Sequence, residues 1–191
     1  GLQLYTGLGL IITKGPAITG LPAAFNNIAN GTILGIPTGA IIFVLIALGL
    51  NYLLNNTVYG KRLYLMGTNS VASKFSGINN LRITMQTYMI SGIFGSFSGI
   101  LMASRYNSAK SDYGSSYTLL TLLIVVLGGV NPDGGRGKVA GVVMSILLLQ
   151  LVSSAFNILR INAFVKTFAW GLILVLVMAG MKLIERRHER S

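Results

Sequence analysis

The sequence predicts an all-α protein, a polytopic bundle of transmembrane helices that forms a single membrane domain over residues 1–191. Hydrophobic residues make up 52% of the chain and charged residues only 10%, whereas soluble domains carry about 25% charged residues. The mean hydropathy is +0.69. The basic residues lie mainly in polar intervals between apolar runs, which is typical of cytoplasmic loops in membrane proteins.

Composition also excludes several classes of function. The net charge of +11 is spread over loops and the C-terminal tail. It forms no basic face with interleaved aromatic residues, so we expect no nucleic-acid partner. The lipid bilayer, with its anionic head groups, is the expected contact of these charges. The chain has no cysteine, which excludes disulfides and thiol catalysis.

The N-terminal part predicts one crossing that follows an outer loop. The chain opens without an initiator Met or a basic signal-peptide region, so we expect a part of a longer protein. Residues 1–12 are apolar but shorter than the roughly 20 residues of a crossing. They predict the outer end of a helix. Residues 13–37 hold three of the four prolines and predict a loop, with a short surface helix over 23–30. Residues 39–54 predict the first full crossing.

The longest polar interval, residues 55–82, predicts a cytoplasmic loop because it is basic and has no acid. Its cations are Lys61, Arg62, Lys74 and Arg82. Residues 68–76 predict a short helix along the membrane, since Thr68, Asn69 and Ser70 are all suitable N-caps. Gly77 is placed to end this helix.

Residues 83–104 predict the second crossing. Gly92, Gly95 and Gly99 give it a face of small residues, which lets two helix backbones approach closely. This face predicts helix packing, either within one subunit or at a subunit interface.

The remaining spans follow from charge alternation. Residues 117–130 are apolar but reach only about 20 Å as a helix, and 139–156 and 167–184 are longer apolar runs. The tail holds Arg186, Arg187 and Arg190, which places it in the cytoplasm with the basic loop. This arrangement predicts that 117–130 crosses as a short helix and that the turn at 131–138 is inside. The alternative, a re-entrant segment over 117–130, would place the Arg-rich tail outside, against the charge bias.

No enzymatic chemistry is predicted. The four acids lie in loops or the tail, namely Asp112, Asp133, Glu185 and Glu189. No ionisable residue lies deep in a predicted span, which disfavours ion-coupled transport. The only His, His188, is in the tail. The turn at 131–138 is not a Walker A loop, because Pro132 replaces its first Gly and Val139 its Ser or Thr. We expect no metal or cofactor, and ATP, if used, binds another chain.

One predicted span carries polar residues three or four positions apart, which places them on one helix face. They are Gln150, Ser153, Ser154 and Asn157. The face predicts either a polar path for a polyhydroxylated solute or hydrogen bonding between helices.

Residues 57–78, TVYGKRLYLMGTNSVASKFSGI, resemble the cytoplasmic loop of permease subunits from ATP-driven, binding-protein-dependent importers of ribose and related sugars. The matching residues are Thr57, Gly60, Arg62, Tyr64, Gly67, Asn69, Ala72, Ser76, Gly77 and Ile78. The chain departs from that pattern where Lys61 takes the usual Arg position and Ser73 replaces an Ala. Residues 15–22 with 34–37 are similar to the family's outer loop. Residues 126–129 with 134–137 are similar to its VLGG…GGxG turn.

The resemblance implies the C-terminal part of a longer permease in the bacterial plasma (inner) membrane, with the type II fold of the vitamin B12 importer. It implies three partners: an ABC ATPase subunit inside, a solute-binding protein outside, and a second permease subunit. ATP would be bound by the ATPase. The solute implied is a sugar or a sugar-like molecule such as autoinducer-2. An ATP-independent channel or facilitator for small polar solutes is the alternative.

The resemblance also implies that the short helix is the coupling helix that docks into the ATPase. The implied coupling residues are Gly67, Asn69, Ser70, Ala72, Ser73, Lys74, Phe75, Ser76 and Gly77. From their positions, we expect Ser70, Ser73, Lys74 and Phe75 to be exposed and to make the contacts.

Overall fold

The computed structural model describes residues 2–15, 17–111, 113–132 and 134–188. Expectations that fall on Pro16, Asp112, Asp133, Glu189 and Arg190 lie outside these ranges. The described chain forms helices α1 Leu2–Thr13, α2 Ala23–Asn30, α3 Thr38–Asn56, α4 Val58–Thr68, α5 Ser70–Phe75, α6 Asn80–Tyr106, α7 Thr118–Leu127, α8 Val139–Ile158 and α9 Ala163–His188. Its short strands are β1 Ile18–Thr19, β2 Thr32–Ile33, β3 Ile36–Pro37 and β4 Ser108–Ala109, and Tyr113–Tyr117 is a 3-10 helix.

Four of these helices are long and apolar enough to cross a membrane: α3, α6, α8 and the Ala163–Gly180 part of α9. Their positions confirm the predicted long helical runs. α9 begins four residues before the predicted start, because the side chain of Asn162 accepts a hydrogen bond from the N–H of Phe164 at 3.1 Å. α7 has 10 residues and is about 15 Å long. It is shorter than the predicted 117–130, because Tyr117 belongs to a 3-10 helix and because Gly129, with a φ of +76°, ends α7 at the other side.

Burial in the chain is the reverse of that in a soluble domain. Only six apolar residues are buried in the part of the chain that the structure describes. Helix α3, which is apolar along most of its length, buries none of its residues. Exposed apolar area on this scale marks a surface for lipid or another protein segment. The long helices therefore present their apolar sides outward, as helices in a bilayer do.

The chain divides into two compact units, and the first is formed by Gly1–Leu50 and Asn79–Ser116. Here α2 packs on the C-terminal end of α6. β1 pairs antiparallel with β4, with Ile18 opposite Ala109 and Thr19 opposite Ser108. β2 and β3 form a separate hairpin. The predicted surface helix over 23–30 is confirmed as α2, while the predicted loop around it contains these strand pairs.

The second unit is formed by Asn51–Ile78 and Tyr117–Ser191. Its apolar core joins α7, α8 and α9 through Leu123, Leu149 and Trp170, which are all buried. The rings of Phe156 and Trp170 lie 5.4 Å apart between centroids, within the range of favourable aromatic pairs. The core uses one face of α8 and leaves its other faces uncovered.

Candidate coupling surface and polar helix face

Helix α5 is short but closed at both ends. The side-chain oxygen of Asn69 accepts hydrogen bonds from the N–H groups of Val71 and Ala72, at 3.0 and 2.9 Å. At the other end, Gly77 has a φ of +77°, a backbone region that glycine enters without strain. The N–H of Gly77 donates to the carbonyl of Lys74 at 3.1 Å, and the N–H of Ile78 donates to the carbonyl of Ser73 at 3.1 Å. This is a Schellman C-cap, so both helix ends expected from the sequence are confirmed.

The outward face of α5 is partly apolar. Phe75 is 89% exposed and Val71 is 63% exposed, and Ser70 and Lys74 are exposed as well. Ser73 is only 4% exposed, so the expectation that it faces outward is wrong. Two positions from Val71 and from Phe75, it lies on the opposite side of the helix. Its hydroxyl donates to the carbonyl of Ser70, and α5 packs on α4.

Helix α4 is the main element of this region that the sequence did not predict. The polar residues 57–67 were assigned to a loop. The hydroxyl of Thr57 instead accepts a hydrogen bond from the N–H of Gly60 at 3.2 Å and so caps a helix of 11 residues. Leu, Met, Lys and Arg are good helix formers, and they supply much of α4. The 55–82 segment is therefore two consecutive helices and not an extended loop.

The glycine-rich turn lies directly against α4. The hydroxyl of Tyr64 donates to the carbonyl of Gly137 at 2.9 Å. A Cβ on Gly67 would lie 3.0 Å from the Cα of Gly135, and one on Gly135 would lie 2.8 Å from the Cα of Thr68. The two backbones meet where only glycine fits. The sequence placed both segments inside but did not predict their contact, although Tyr64 and these glycines belong to the quoted motifs.

We refer to residues 57–78 together with 134–138 as the coupling surface. It has no acidic residue. Its exposed cations are Lys61, Arg62, Lys74, Arg136 and Lys138. A positive surface with an apolar centre at Val71 and Phe75 is complementary to an acidic partner that has an apolar recess.

Helix α8 has three distinct faces. Leu149, Val152 and Phe156 pack in the core. Gln150, Ser154 and Asn157 are exposed and Ser153 is half-buried. At 3.6 residues per turn, the centre of this polar face lies roughly 120° around the helix from the core face. A third face is exposed and apolar, with Met144, Leu147 and Leu151. The four polar residues thus share one broad face; Gln150 and Asn157 lie near its centre, and Ser154 lies at its edge, about 20° around the helix from Leu147 of the apolar face.

One end of the polar face is joined to α9. The amine of Lys166 donates to the side-chain oxygen of Asn157 at 2.5 Å. Lys166 lies in the first turn of α9, where the helix dipole disfavours a positive charge. The hydrogen bond with Asn157 offsets part of that cost and holds the Asn157 amide in place at the C-terminal end of the polar face.

The glycine face of α6 has no packing partner within the described chain. A Cβ on Gly92, Gly95 or Gly99 would meet no other atom within 4 Å. Gly95 and Gly99 line an open cavity of about 310 Å³ together with Ser98, Lys110 and Tyr113. Packing on this face, within the subunit or between subunits, stays a prediction.

The chain has four helices long and apolar enough to cross a membrane, and their apolar side chains are mostly exposed. These features define the chain as a multi-pass membrane protein. In the described ranges, no group of three or more His, Asp or Glu side chains could hold a metal ion. The chain belongs to the permease family described as "Branched-chain amino acid transport system / permease component", whose model matches residues 3–178.

Two curated relatives are similar over nearly the whole chain. The ribose import permease protein RbsC of Bacillus subtilis (strain 168) is 33% identical over 179 residues, which are 93% of this chain and 56% of that protein. The autoinducer 2 import system permease protein LsrD of Yersinia pestis (strain Pestoides F) is 30% identical over 210 residues, covering 98% of this chain and 63% of that protein. The chain therefore spans less than two thirds of the length of either relative. No solved structure gives a significant match.

Proposed function

We propose that this chain is part of the translocation subunit of an ATP-driven importer for a sugar or sugar-like solute. The solute class follows the two relatives, named for import of ribose and of autoinducer 2, and not the amino acids in the family description. The chain performs no bond chemistry. A separate ATPase subunit hydrolyses ATP, a solute-binding protein delivers the solute outside, and a second permease subunit completes the path.

The observation that carries the proposal is the capped helix α5 with its exposed aromatic side chain on the coupling surface. An isolated helix of six residues is unstable in water, yet α5 has a cap at each end. Its apolar residue Phe75 is 89% exposed. A rigid, capped helix with an exposed aromatic anchor has the properties of a protein docking element. ATP-driven closure of the partner would push on α5 and tilt the spans.

The proposed topology places the coupling surface and the C-terminus in the cytoplasm of a bacterial cell. Helices α3, α6, α8 and α9 cross the inner membrane, and α7 crosses as a short helix that neighbours shelter from lipid. The cations of the coupling surface support this orientation, because cytoplasmic loops carry an excess of Lys and Arg. The fold we propose is the type II permease fold of the vitamin B12 importer.

We assign the polar face of α8 to the solute path. Gln150, Ser154 and Asn157 remain uncovered by the core, and Gln150 and Asn157 also lie away from the apolar outer face. Amide and hydroxyl groups can both donate and accept hydrogen bonds, as a polyhydroxylated solute requires. A path through which the solute must leave again benefits from several weak neutral contacts and does not need a charged site.

A cross-linking experiment tests the proposal, and these 191 residues contain no cysteine of their own that would compete for the cross-linker. We would introduce Lys74→Cys into the full-length protein, co-express it with its ATPase, and test for an ATP-dependent cross-link. Ser73→Cys is the matched control, because this neighbouring side chain is buried. We expect a cross-link from position 74 and little or none from position 73.

The other outcomes separate the alternatives. Labelling of position 74 only from outside the cell would invert the topology and refute the coupling role. An inside position with no cross-link, together with ribose uptake that needs no ATP, would favour an ATP-independent channel. ATP-dependent uptake of radiolabelled ribose in vesicles, abolished without the ATPase, would support the importer.

A further inference from the structure

The outer segment of the first unit is held to α6 by a fully buried hydroxyl. Ser104 is 0% exposed. Its Oγ donates to the carbonyl of Phe25 at 2.8 Å, with the carbonyl of Asn26 at 3.1 Å, and accepts from the N–H of Ala29 at 3.0 Å. In an α-helix, the N–H of Ala29 would normally bond directly to the carbonyl of Phe25, four residues earlier. The hydroxyl of α6 therefore bridges one rung of the hydrogen-bond ladder of α2.

The groups around this bridge are paired as well. The side-chain amide of Asn30 donates to the carbonyl of Ser104 at 2.9 Å, one of the last carbonyls of α6, which otherwise accepts only a long bond from the N–H of the cap residue Asn107 at 3.4 Å. Arg105 donates to the side-chain oxygen of Asn30 at 2.9 Å. The N–H of Leu21 bonds to the side chain of Asn107 at 3.1 Å. α2 is thus attached to the end of α6 through both backbone and side chains.

α6 is suited to carry movement along its length. It has 27 residues and is about 40 Å long. It starts only five positions after the end of α5, and the side chain of Asn79 caps its first turn by accepting from the N–H of Arg82 at 3.0 Å. A push on α5 reaches the start of α6 through a short connection, and a stiff helix delivers it to the other end.

We propose that Ser104 is a positioning residue that makes α2 move with α6, so that displacement of the coupling helix at one end is transmitted to the outer segment 18–30 at the other. The proposal rests on the proposed function for the source of that displacement. The bridge itself does not depend on it. Without the hydroxyl, α2 can close its own ladder between Phe25 and Ala29, so it would remain helical but lose its register on α6.

The test measures the α2–α6 distance directly. Spin labels would be attached through Asn27→Cys on α2 and Ile100→Cys on α6, both exposed, in the full-length protein with its ATPase in lipid nanodiscs. Pulsed electron paramagnetic resonance would be recorded without nucleotide and with ATP–vanadate. We expect one narrow distance distribution, the same in both states. In S104A the population of a second distance, relative to the main distance, should be about five times that in the parent, as expected when one net hydrogen bond is lost.

The controls isolate the bridge. Ser96 lies on the same helix, and its hydroxyl bonds only to the carbonyl of Gly92 at 3.0 Å, so S96A should match the parent. N30A removes the two hydrogen bonds of the exposed Asn30 side chain, to the carbonyl of Ser104 and from Arg105, and should also give a second population, even if S104A expresses poorly. An unchanged distribution in S104A and N30A, or a parent distance that changes with nucleotide, overturns the proposal. Absence of ATP-dependent uptake of both ribose and autoinducer 2 by the parent instead counts against the proposed function, while the nucleotide-free distances still test the bridge.

Discussion

Replacing Gly67 by alanine tests the contact between α4 and the glycine-rich turn. The added methyl would lie 3.0 Å from the Cα of Gly135, about 0.4 Å inside the 3.4 Å at which ordinary contact begins, and closer still to the amide nitrogen of that residue. Both neighbours are backbone atoms, so no side chain can rotate away. Either the end of α4 or the turn must shift, and the hydrogen bond from Tyr64 to Gly137 spans the same gap.

The energies favour displacement of the turn. Overpacking of this kind costs about 1–3 kcal/mol, and loss of the Tyr64 hydrogen bond costs about 1 kcal/mol. Alanine in place of glycine stabilises a helix interior by roughly 1 kcal/mol, but less here, because Gly67 is one residue from the end of α4. The steric term wins, and the contact should weaken by about 1–2 kcal/mol, a factor of roughly 5–30 in the population of the docked turn.

Hydrogen exchange of residues 131–138, followed by mass spectrometry, measures this directly. The turn amides should exchange faster in G67A, and ATP-driven ribose uptake should fall with them. Gly49→Ala is the matched control, since it adds the same methyl to α3 at a position where no other atom lies within 4 Å. If the turn in G67A exchanges at the parent rate, then the contact is looser than the structure indicates and the steric argument is wrong.

Two further predictions concern α5 and α8. Asn69→Ala removes the cap of α5 and should destabilise that helix by about 1 kcal/mol, whereas Asn69→Asp keeps the acceptor. A reduced ATP-dependent cross-link from position 74 in the Ala variant, restored in the Asp variant, would show it, and equal cross-linking in all three would contradict it. Gln150→Leu should lower ribose uptake without loss of ATPase association, because it places an apolar side chain at the centre of the polar face. Met144→Ser on the exposed apolar face, about 120° around the helix, is its control for a general effect on α8, and equal loss in both variants would argue against a path.

Local sequence signals predicted the elements whose determinants are local. Long apolar runs identified α3, α6, α8 and α9, because twenty apolar residues need a helix to satisfy their backbone in lipid. The cap at Asn69 and the stop at Gly77 were readable because each acts on N–H or carbonyl groups within a few residues. Helix α4 was missed because its polarity was taken for a loop, although Thr57 is a good N-cap.

The sequence by itself determined the class of protein, the long apolar helices, the two ends of α5, and the motifs that mark the permease family. Only the tertiary structure decided which groups meet: that Ser73 faces inward, that Tyr64 reaches Gly137, and that Ser104 enters the ladder of α2. Tyr64 and Gly137 are more than 70 residues apart along the chain, and so are Ser104 and Phe25. No short-range pattern records such contacts, because they depend on how the helices pack and not on the preferences of the residues between them.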